Sequence, residues 1–82
     1  MMSRSKNTND IAECIARTLG QYFRDLDGEK PAAIYEMVIR TVERPMLQCV
    51  LEQANGNQTQ AAEMLGINRN TLRRKLTEHD LL

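Results

Sequence analysis

The stretch NQTQAAEMLGINRNTLRRKL, residues 57–76, has the pattern of two short helices joined by a tight corner. Asn57 can begin the first helix, because its side-chain oxygen can accept one of the first unpaired N–H groups. Gln60, three residues later, stands where the second side chain of a capping box reaches back to the cap. Gly66 can end this helix, because glycine readily adopts the left-handed backbone that follows many helices. The pattern therefore predicts a helix over residues 58–65.

The second helix of the stretch is predicted to begin after Asn68, a second capping residue, and to run over residues 69–78. Leu72 and Leu76 lie one turn apart and form its apolar side. At about 100° per residue, the other positions divide into an opposite side and two flanks. Asn70, Thr71 and Arg74 lie opposite the leucines, Arg69 and Arg73 on one flank, and Lys75 on the other. This arrangement is typical of a recognition helix, which lies in the major groove of DNA.

The same stretch resembles the C-terminal helix-turn-helix of the bacterial factor for inversion stimulation, the Fis family, and the related DNA-binding domain of NtrC-type enhancer-binding activators. The likeness extends upstream through YEMVIRTVERPMLQCVLEQA and, more loosely, through ARTLGQYFRDLDG, so it covers nearly everything from about Asp10 to the C-terminus. It implies an all-α fold with four helices per subunit. The first two would form an intertwined dimer core and the last two the helix-turn-helix.

The resemblance also implies which side chains contact DNA. Asn68, Arg69 and Arg74 match base-contacting positions, with Arg69 as the main reader, suited to a bidentate contact with guanine. Asn57, Thr59, Thr71, Arg73 and Lys75 match positions that contact the DNA backbone. The place of Arg69 agrees with this role, because a cation is disfavoured at the positive end of the helix dipole and needs an external partner. An ordinary solvent-exposed side chain is the alternative interpretation for each of these residues.

Two longer helices are predicted upstream. Residues 1–9 are polar without a pattern, which predicts a flexible N-terminal tail. The first helix should be capped by Asn9 or Asp10, carry apolar residues at helical spacing, and end at Asp27 and Gly28.

The second helix is predicted from Pro31 or Ala32 to Ala54, and it is apolar around most of its circumference. Pro45 predicts a bend within it; a break into two helices at Arg44 is the alternative. A short chain cannot cover so broad an apolar surface alone, so a homodimer is predicted. The predicted dimer core consists of Ile34, Val38, Val42, Met46, Leu47 and Val50.

Length and composition bound this organisation. The 82 residues allow one compact domain. Within it we expect the tail over residues 1–9, a two-helix dimerisation region over 10–55, and the helix-turn-helix over 56–82. The hydrophobic content of 41% and the charged content of 27% are those of a globular protein.

The net charge is zero, although a DNA-binding protein is usually basic. The charge is, however, unevenly distributed. Residues 64–77 contain four basic side chains and no acidic one, while the rest of the chain has seven basic and eleven acidic side chains. The positive field is therefore concentrated on the predicted reading helix, where phosphate contacts need it.

Several other functions are not indicated. Cys14 and Cys49 form no metal-binding or redox pair and are expected to be free thiols that act as small apolar residues. His79 is expected to be solvated. We predict no enzyme activity, metal, cofactor, small-molecule ligand or membrane association. The N-terminus lacks the apolar core of a signal peptide, so the chain is expected in the cytoplasm, at the bacterial nucleoid if the resemblance holds.

The resulting prediction is a homodimer that binds and bends double-stranded DNA of degenerate sequence. The resemblance implies roles in transcription regulation and nucleoid organisation. The first helix begins too near the N-terminus for the extended arm that touches DNA recombinases in enteric Fis, so the resemblance does not extend to stimulation of inversion. The alternative is a helical dimerisation or adaptor module that binds a protein partner, which the apolar second helix and zero net charge would suit.

Overall fold

A computed structural model describes residues 4–82, which form four helices and contain no β-strand. The helices are α1 (Arg4–Leu26), α2 (Ile34–Gln53), α3 (Gln58–Leu65) and α4 (Arg69–Glu78). The predicted all-α fold with four helices is therefore confirmed. Among the described residues, none of the helices combines the length and the hydrophobicity that a membrane span requires.

Helix α1 begins earlier than the sequence predicted. Residues 1–3 of the predicted tail lie outside the described residues, but residues 4–9 belong to α1. The apolar pattern begins only after Asn9. Since no glycine or proline interrupts residues 4–10, the helical backbone continues beyond its apolar side. The predicted end is confirmed, because Asp27 and Gly28 have positive φ angles of 50° and 89°.

Helix α2 begins at Ile34 rather than at Pro31 or Ala32. The cause is the backbone of Ala33, whose φ of 56° is left-handed and incompatible with a helix that starts earlier. The carbonyl of Ala33 accepts a hydrogen bond from the N–H of Met37 at 3.0 Å and so starts the helix. The helix continues through Pro45, which confirms one helix rather than two; the bend at Pro45 stays a prediction.

The chain divides into two compact units, Met1–Val38 and Ile39–Leu82. In the first unit, the rings of Tyr22 and Phe23 meet edge to face with centroids 5.6 Å apart. The second unit contains the helix-turn-helix together with most of α2. The predicted boundary between residues 55 and 56 therefore falls inside this unit and stays a prediction.

The second unit has one core, formed by α2, α3 and α4. Its buried members are Leu47, Ala54, Ala61, Ala62, Leu72 and Leu76, and Val50, Leu51, Leu65, Ile67 and Leu81 pack against them. Small alanines on α3 allow the short helices to approach closely. Leu47, predicted for the dimer core, is only 1% exposed and already fills the core of its own chain.

Candidate nucleic-acid interface

The corner between α3 and α4 is fixed by hydrogen bonds to the backbone. Oδ1 of Asn57 accepts the N–H of Gln60 at 3.0 Å and caps α3 as predicted. The backbone N–H of Asn57 donates to the carbonyl of Ala54 at 3.0 Å, so that donor is satisfied by the preceding turn and not by the Gln60 side chain of the predicted capping box. Gly66, with a φ of 77°, ends α3 as predicted.

Asn68 caps α4, because its Oδ1 accepts the N–H of Asn70 at 2.7 Å. The predicted bounds of both short helices are confirmed. Leu72 and Leu76, 1% and 0% exposed, hold the inner side of α4 against α2 and α3. The orientation of α4 within the second unit is thus set by two leucines one turn apart.

The part of the α4 surface that faces away from the core is cationic and open. The side chains of Arg69, Arg73, Arg74 and Asn70 are exposed, and Thr71 is half-buried. Neither Arg69 nor Arg74 enters the core of the chain, and the sequence-based interpretation requires both to be accessible. The structure therefore presents the basic residues of α4 to solvent while its leucines stay buried.

Two of the predicted DNA-contacting residues meet across the corner. Nη1 of Arg69 donates to Oγ1 of Thr59 at 3.4 Å, a long hydrogen bond between exposed side chains of α4 and α3. The exposed Asn57 lies at the start of the same α3. The start of α3 and the start of α4 thus form one polar edge of the second unit.

Lys75 lies elsewhere. Its Nζ is 2.7 Å from Oε2 of Glu43 on α2, and the two side chains are 28% and 13% exposed. Among the residues predicted to contact the DNA backbone, Lys75 is therefore the one whose charge is paired with an acid of its own chain.

His79 is buried, with 5% of its surface exposed, so the prediction that it is solvated is wrong. Its Nε2 lies 2.8 Å from Oε1 of Glu43, and its burial follows from its position on the inner side of α4. The spacing gives a signal for this, because His79 follows Leu72 by seven residues and Leu76 by three, which continues the buried stripe. Glu43 itself carries no such signal, since its partners lie more than thirty residues away.

The two partners change the acidity of Glu43. The hydrogen bond from Lys75 lowers the pKa of Glu43 below the usual 4.5, and the hydrogen bond with His79 adds to this effect. Partial burial acts in the opposite direction without cancelling it. Glu43 is accordingly ionised at neutral pH.

The end of α4 also receives two arginines from α2. Nη1 of Arg44 donates to the carbonyl of His79, and Nη2 of Arg40 donates to the carbonyl of Glu78 at 3.3 Å. These carbonyls lie at the negative end of the helix dipole, where a cation stabilises the helix. A cleft of about 470 Å³ opens beside them.

The next residues to consider are the possible metal ligands and the two cysteines. The described residues contain no group of three His, Cys, Asp or Glu side chains that could hold a metal ion. Cys14 and Cys49 are free thiols as predicted, but both are exposed and do not fill apolar space within the chain.

Comparison with known proteins gives a consistent result. The model of the family "Bacterial regulatory protein, Fis family" matches residues 38–79, the part that contains α3, α4 and most of α2. A Fis-like DNA-binding protein of Neisseria meningitidis serogroup A is 56% identical over 73 residues, covering 89% of this chain and 92% of that relative.

Two further relatives extend the likeness. A Fis-like DNA-binding protein of Ralstonia nicotianae is 55% identical over 74 residues, covering 90% of this chain and 96% of the relative. DNA-binding protein Fis of Actinobacillus succinogenes is 46% identical over 80 residues, covering 96% of this chain and 81% of that protein. The chain therefore belongs to the Fis family of bacterial regulatory proteins.

Proposed function

We propose that the chain binds double-stranded DNA as a homodimer, with α4 of each subunit in a major groove. The observation that carries this proposal is the division of α4 into a buried apolar side and an exposed cationic side. Leu72 and Leu76 are almost fully buried, whereas Arg69, Arg73 and Arg74 are exposed. The relatives from Neisseria and Ralstonia, named as Fis-like DNA-binding proteins, support the same function.

In this proposal Arg69 reads bases near the N-terminus of α4. Its guanidinium can donate two hydrogen bonds to one guanine, and its hydrogen bond to Thr59 is long, at 3.4 Å. Arg74, one turn and a half further on, adds a second base contact. Asn68 uses Oδ1 to cap α4, and its side-chain N–H₂ keeps two donors for a base edge.

The DNA backbone would be held from both short helices. Asn57 and Thr59 lie at the start of α3, where unpaired N–H groups and the helix dipole favour a phosphate. Thr71 and Arg73 would contact phosphates from α4. These contacts fix the position of the protein on the duplex, and the base contacts then select the sequence.

The homodimer is proposed from the apolar surface of α2. Val42 and Met46, both predicted for the dimer core, are 37% and 47% exposed, and Tyr35 is 80% exposed. Large apolar side chains at helical spacing on one helix favour burial against a second copy. A two-fold axis would place the two α4 helices in successive major grooves of one site.

Bending, regulation and location complete the proposal. A dimer that reads only a few bases would draw much of its selectivity from how easily the central sequence bends. Roles in transcription regulation and nucleoid organisation, in the bacterial cytoplasm, are part of this proposal, and membership of the family supports them.

A second candidate is a helical adaptor that binds a protein partner through α2. The exposed apolar side chains of α2 and the zero net charge favour it. In that case the basic side of α4 would be only a solvated surface.

A gel-shift titration at two salt concentrations separates the two candidates. DNA affinity that falls as salt rises supports the DNA-binding dimer, since bound cations are released from the duplex. Unchanged mobility of the duplex at micromolar protein and low salt would contradict it and favour the adaptor. Sedimentation at micromolar concentration tests the homodimer separately, and a folded species with the mass of one chain would overturn it.

A further inference from the structure

Three side chains of α2 reach the C-terminal half of α4. Arg40, Glu43 and Arg44 stand at positions i, i+3 and i+4 and therefore share one face of α2. Glu43 contacts the side chains of Lys75 and His79, and the two arginines donate to the carbonyls of Glu78 and of His79, the residue that caps α4. We call Arg40, Glu43 and Arg44 the α2 clamp.

We propose that the α2 clamp sets the direction of the reading helix, and that Lys75 affects DNA binding through Glu43 rather than by contacting a phosphate. Glu43 is then a positioning residue for DNA recognition, although it does not itself contact DNA. This inference rests on the proposed function, in which α4 reads the duplex.

The position of Lys75 supports a role different from that of the other basic residues. At about 100° per residue, Lys75 lies roughly 60° from Leu72 but roughly 160° from Arg73 around the helix axis. Its side chain is half-buried beside the inner leucines, and its ammonium is 2.7 Å from a carboxylate that is 13% exposed. Moving Lys75 to a phosphate would leave this carboxylate half-buried and without its closest cation.

The length of α4 explains why its far end affects base reading. Its ten residues span about 15 Å, so a tilt of about 4° shifts one end by about 1 Å relative to the other. Hydrogen bonds to base edges tolerate only a few tenths of an ångström around their preferred distance. The clamp holds the end that lies farthest from Arg69 and thereby limits this tilt.

Glu43 could instead act on DNA only as a negative charge near the duplex, and the two roles predict opposite results. If Glu43 acts only as a charge, its replacement by glutamine removes repulsion from phosphates and strengthens binding. If Glu43 positions α4, the same replacement weakens binding and reduces discrimination between sequences.

The test uses fluorescence anisotropy with a labelled duplex selected from a random library with the wild-type protein. For Glu43→Gln we expect the affinity for the duplex to fall about 2- to 30-fold, which is the range for substitutions that change binding without contacting the ligand. The preference for the selected duplex over a scrambled one should fall, and the slope of affinity against salt should not change. Glu52→Gln, the same change at an exposed position of the same helix, should leave all three quantities unchanged.

Lys75→Met, alone and combined with Glu43→Gln, completes a double-mutant cycle. If Lys75 acts through Glu43, the double variant loses no more affinity than the more affected single variant, and the salt slope is kept. If Lys75 contacts a phosphate, Lys75→Met lowers the slope by about 1 for each phosphate no longer neutralised, and its effect adds to that of Glu43→Gln, which would overturn the inference.

The remaining outcomes are also decisive. If circular dichroism shows that Glu43→Gln does not fold, Arg44→Lys keeps the charge but loses the fork geometry of the guanidinium, and it should lower sequence preference in the same way. Unchanged or stronger binding by the folded clamp variants overturns the clamp alone. Failure of the wild-type protein to bind any duplex overturns the proposed function and this inference together.

Discussion

The ammonium of Lys75 lies 2.7 Å from the carboxylate of Glu43, and this ion pair joins α4 to α2 within one chain. The same carboxylate is 2.8 Å from Nε2 of the buried His79. One acid of α2 thus contacts a side chain of the helix proposed to read DNA and the residue that directly follows this helix, on the side opposite Arg73.

The ion pair predicts a specific pH dependence of stability. The hydrogen bond from Lys75 lowers the pKa of Glu43 in the folded chain below 4.5. A carboxylate whose pKa is lowered by folding stabilises the fold above its unfolded pKa, and this contribution is lost as pH falls through the folded pKa. Glu43→Gln should therefore destabilise the protein at pH 7, by on the order of 1 kcal/mol for a partly exposed pair.

Urea unfolding of the wild-type and Glu43→Gln proteins measures this effect. The difference between their free energies of unfolding should be present at pH 7 and shrink below about pH 4.5, as the wild-type carboxylate takes up its proton. A difference that is independent of pH down to the acid range would show that Glu43 does not stabilise the fold as a charged group.

The left-handed backbone of Gly66, at the corner between the short helices, should make any side chain at this position destabilising. Its φ is 77°, and a Cβ added there would meet no atom within 4 Å, so only the backbone conformation opposes a side chain. Gly66→Ala should lower the free energy of unfolding by about 1–2 kcal/mol. Glu63→Ala, at an exposed position of α3, should change it by less than about 0.5 kcal/mol. Equal stability of Gly66→Ala and wild type would contradict the left-handed corner.

The helix-turn-helix could be predicted from the sequence because its signals are local. Asn57, Gly66 and Asn68 each act on hydrogen bonds within four residues, and the bounds of α3 and α4 are confirmed. The start of α2 could not be predicted in the same way. Pro31 suits a helical first turn, but the left-handed backbone of Ala33 delays the helix.

The contacts of Glu43 lay beyond sequence reasoning for a different reason. They join residues 32 and 36 positions apart in the chain, and no periodic pattern on one helix specifies its partner on another. The helical geometry of about 100° per residue placed Lys75 on a flank of α4, and the structure agrees with this position. Whether the neighbour on that flank is a phosphate or an acid of α2 depends on how the two helices pack.

The exposed apolar side chains of α2 form the proposed dimer surface, and a charge introduced there should weaken the dimer. Met46→Glu would place a charge where the two copies are proposed to meet, so it should shift sedimentation at micromolar concentration toward the mass of one chain. Gln48→Glu adds the same charge at an exposed position of α2 and should leave the mass unchanged. A Met46→Glu protein that sediments like wild type would exclude this face of α2 from the dimer.

Replacing Arg73 should change how strongly DNA affinity depends on salt concentration. Arg73 is exposed on α4 and is proposed to contact a phosphate. Arg73→Ala should weaken binding to all duplexes to a similar extent and lower the slope of log affinity against log salt by about 1 for each phosphate that the protein no longer neutralises. A series of titrations at four salt concentrations measures the slope. Loss of preference for one sequence with an unchanged slope would instead indicate that Arg73 reads a base.

The proposal that α4 reads DNA through Arg69 is tested most directly by titrating a library-selected duplex with wild-type and Arg69→Ala proteins. Arg69→Ala should cost about 1–3 kcal/mol of binding free energy for each subunit and relax selection at one base pair on each side of the site. Arg17→Ala, at an exposed arginine of α1, should bind as wild type does. Equal affinity and equal sequence preference of the Arg69→Ala and wild-type proteins would contradict the proposal.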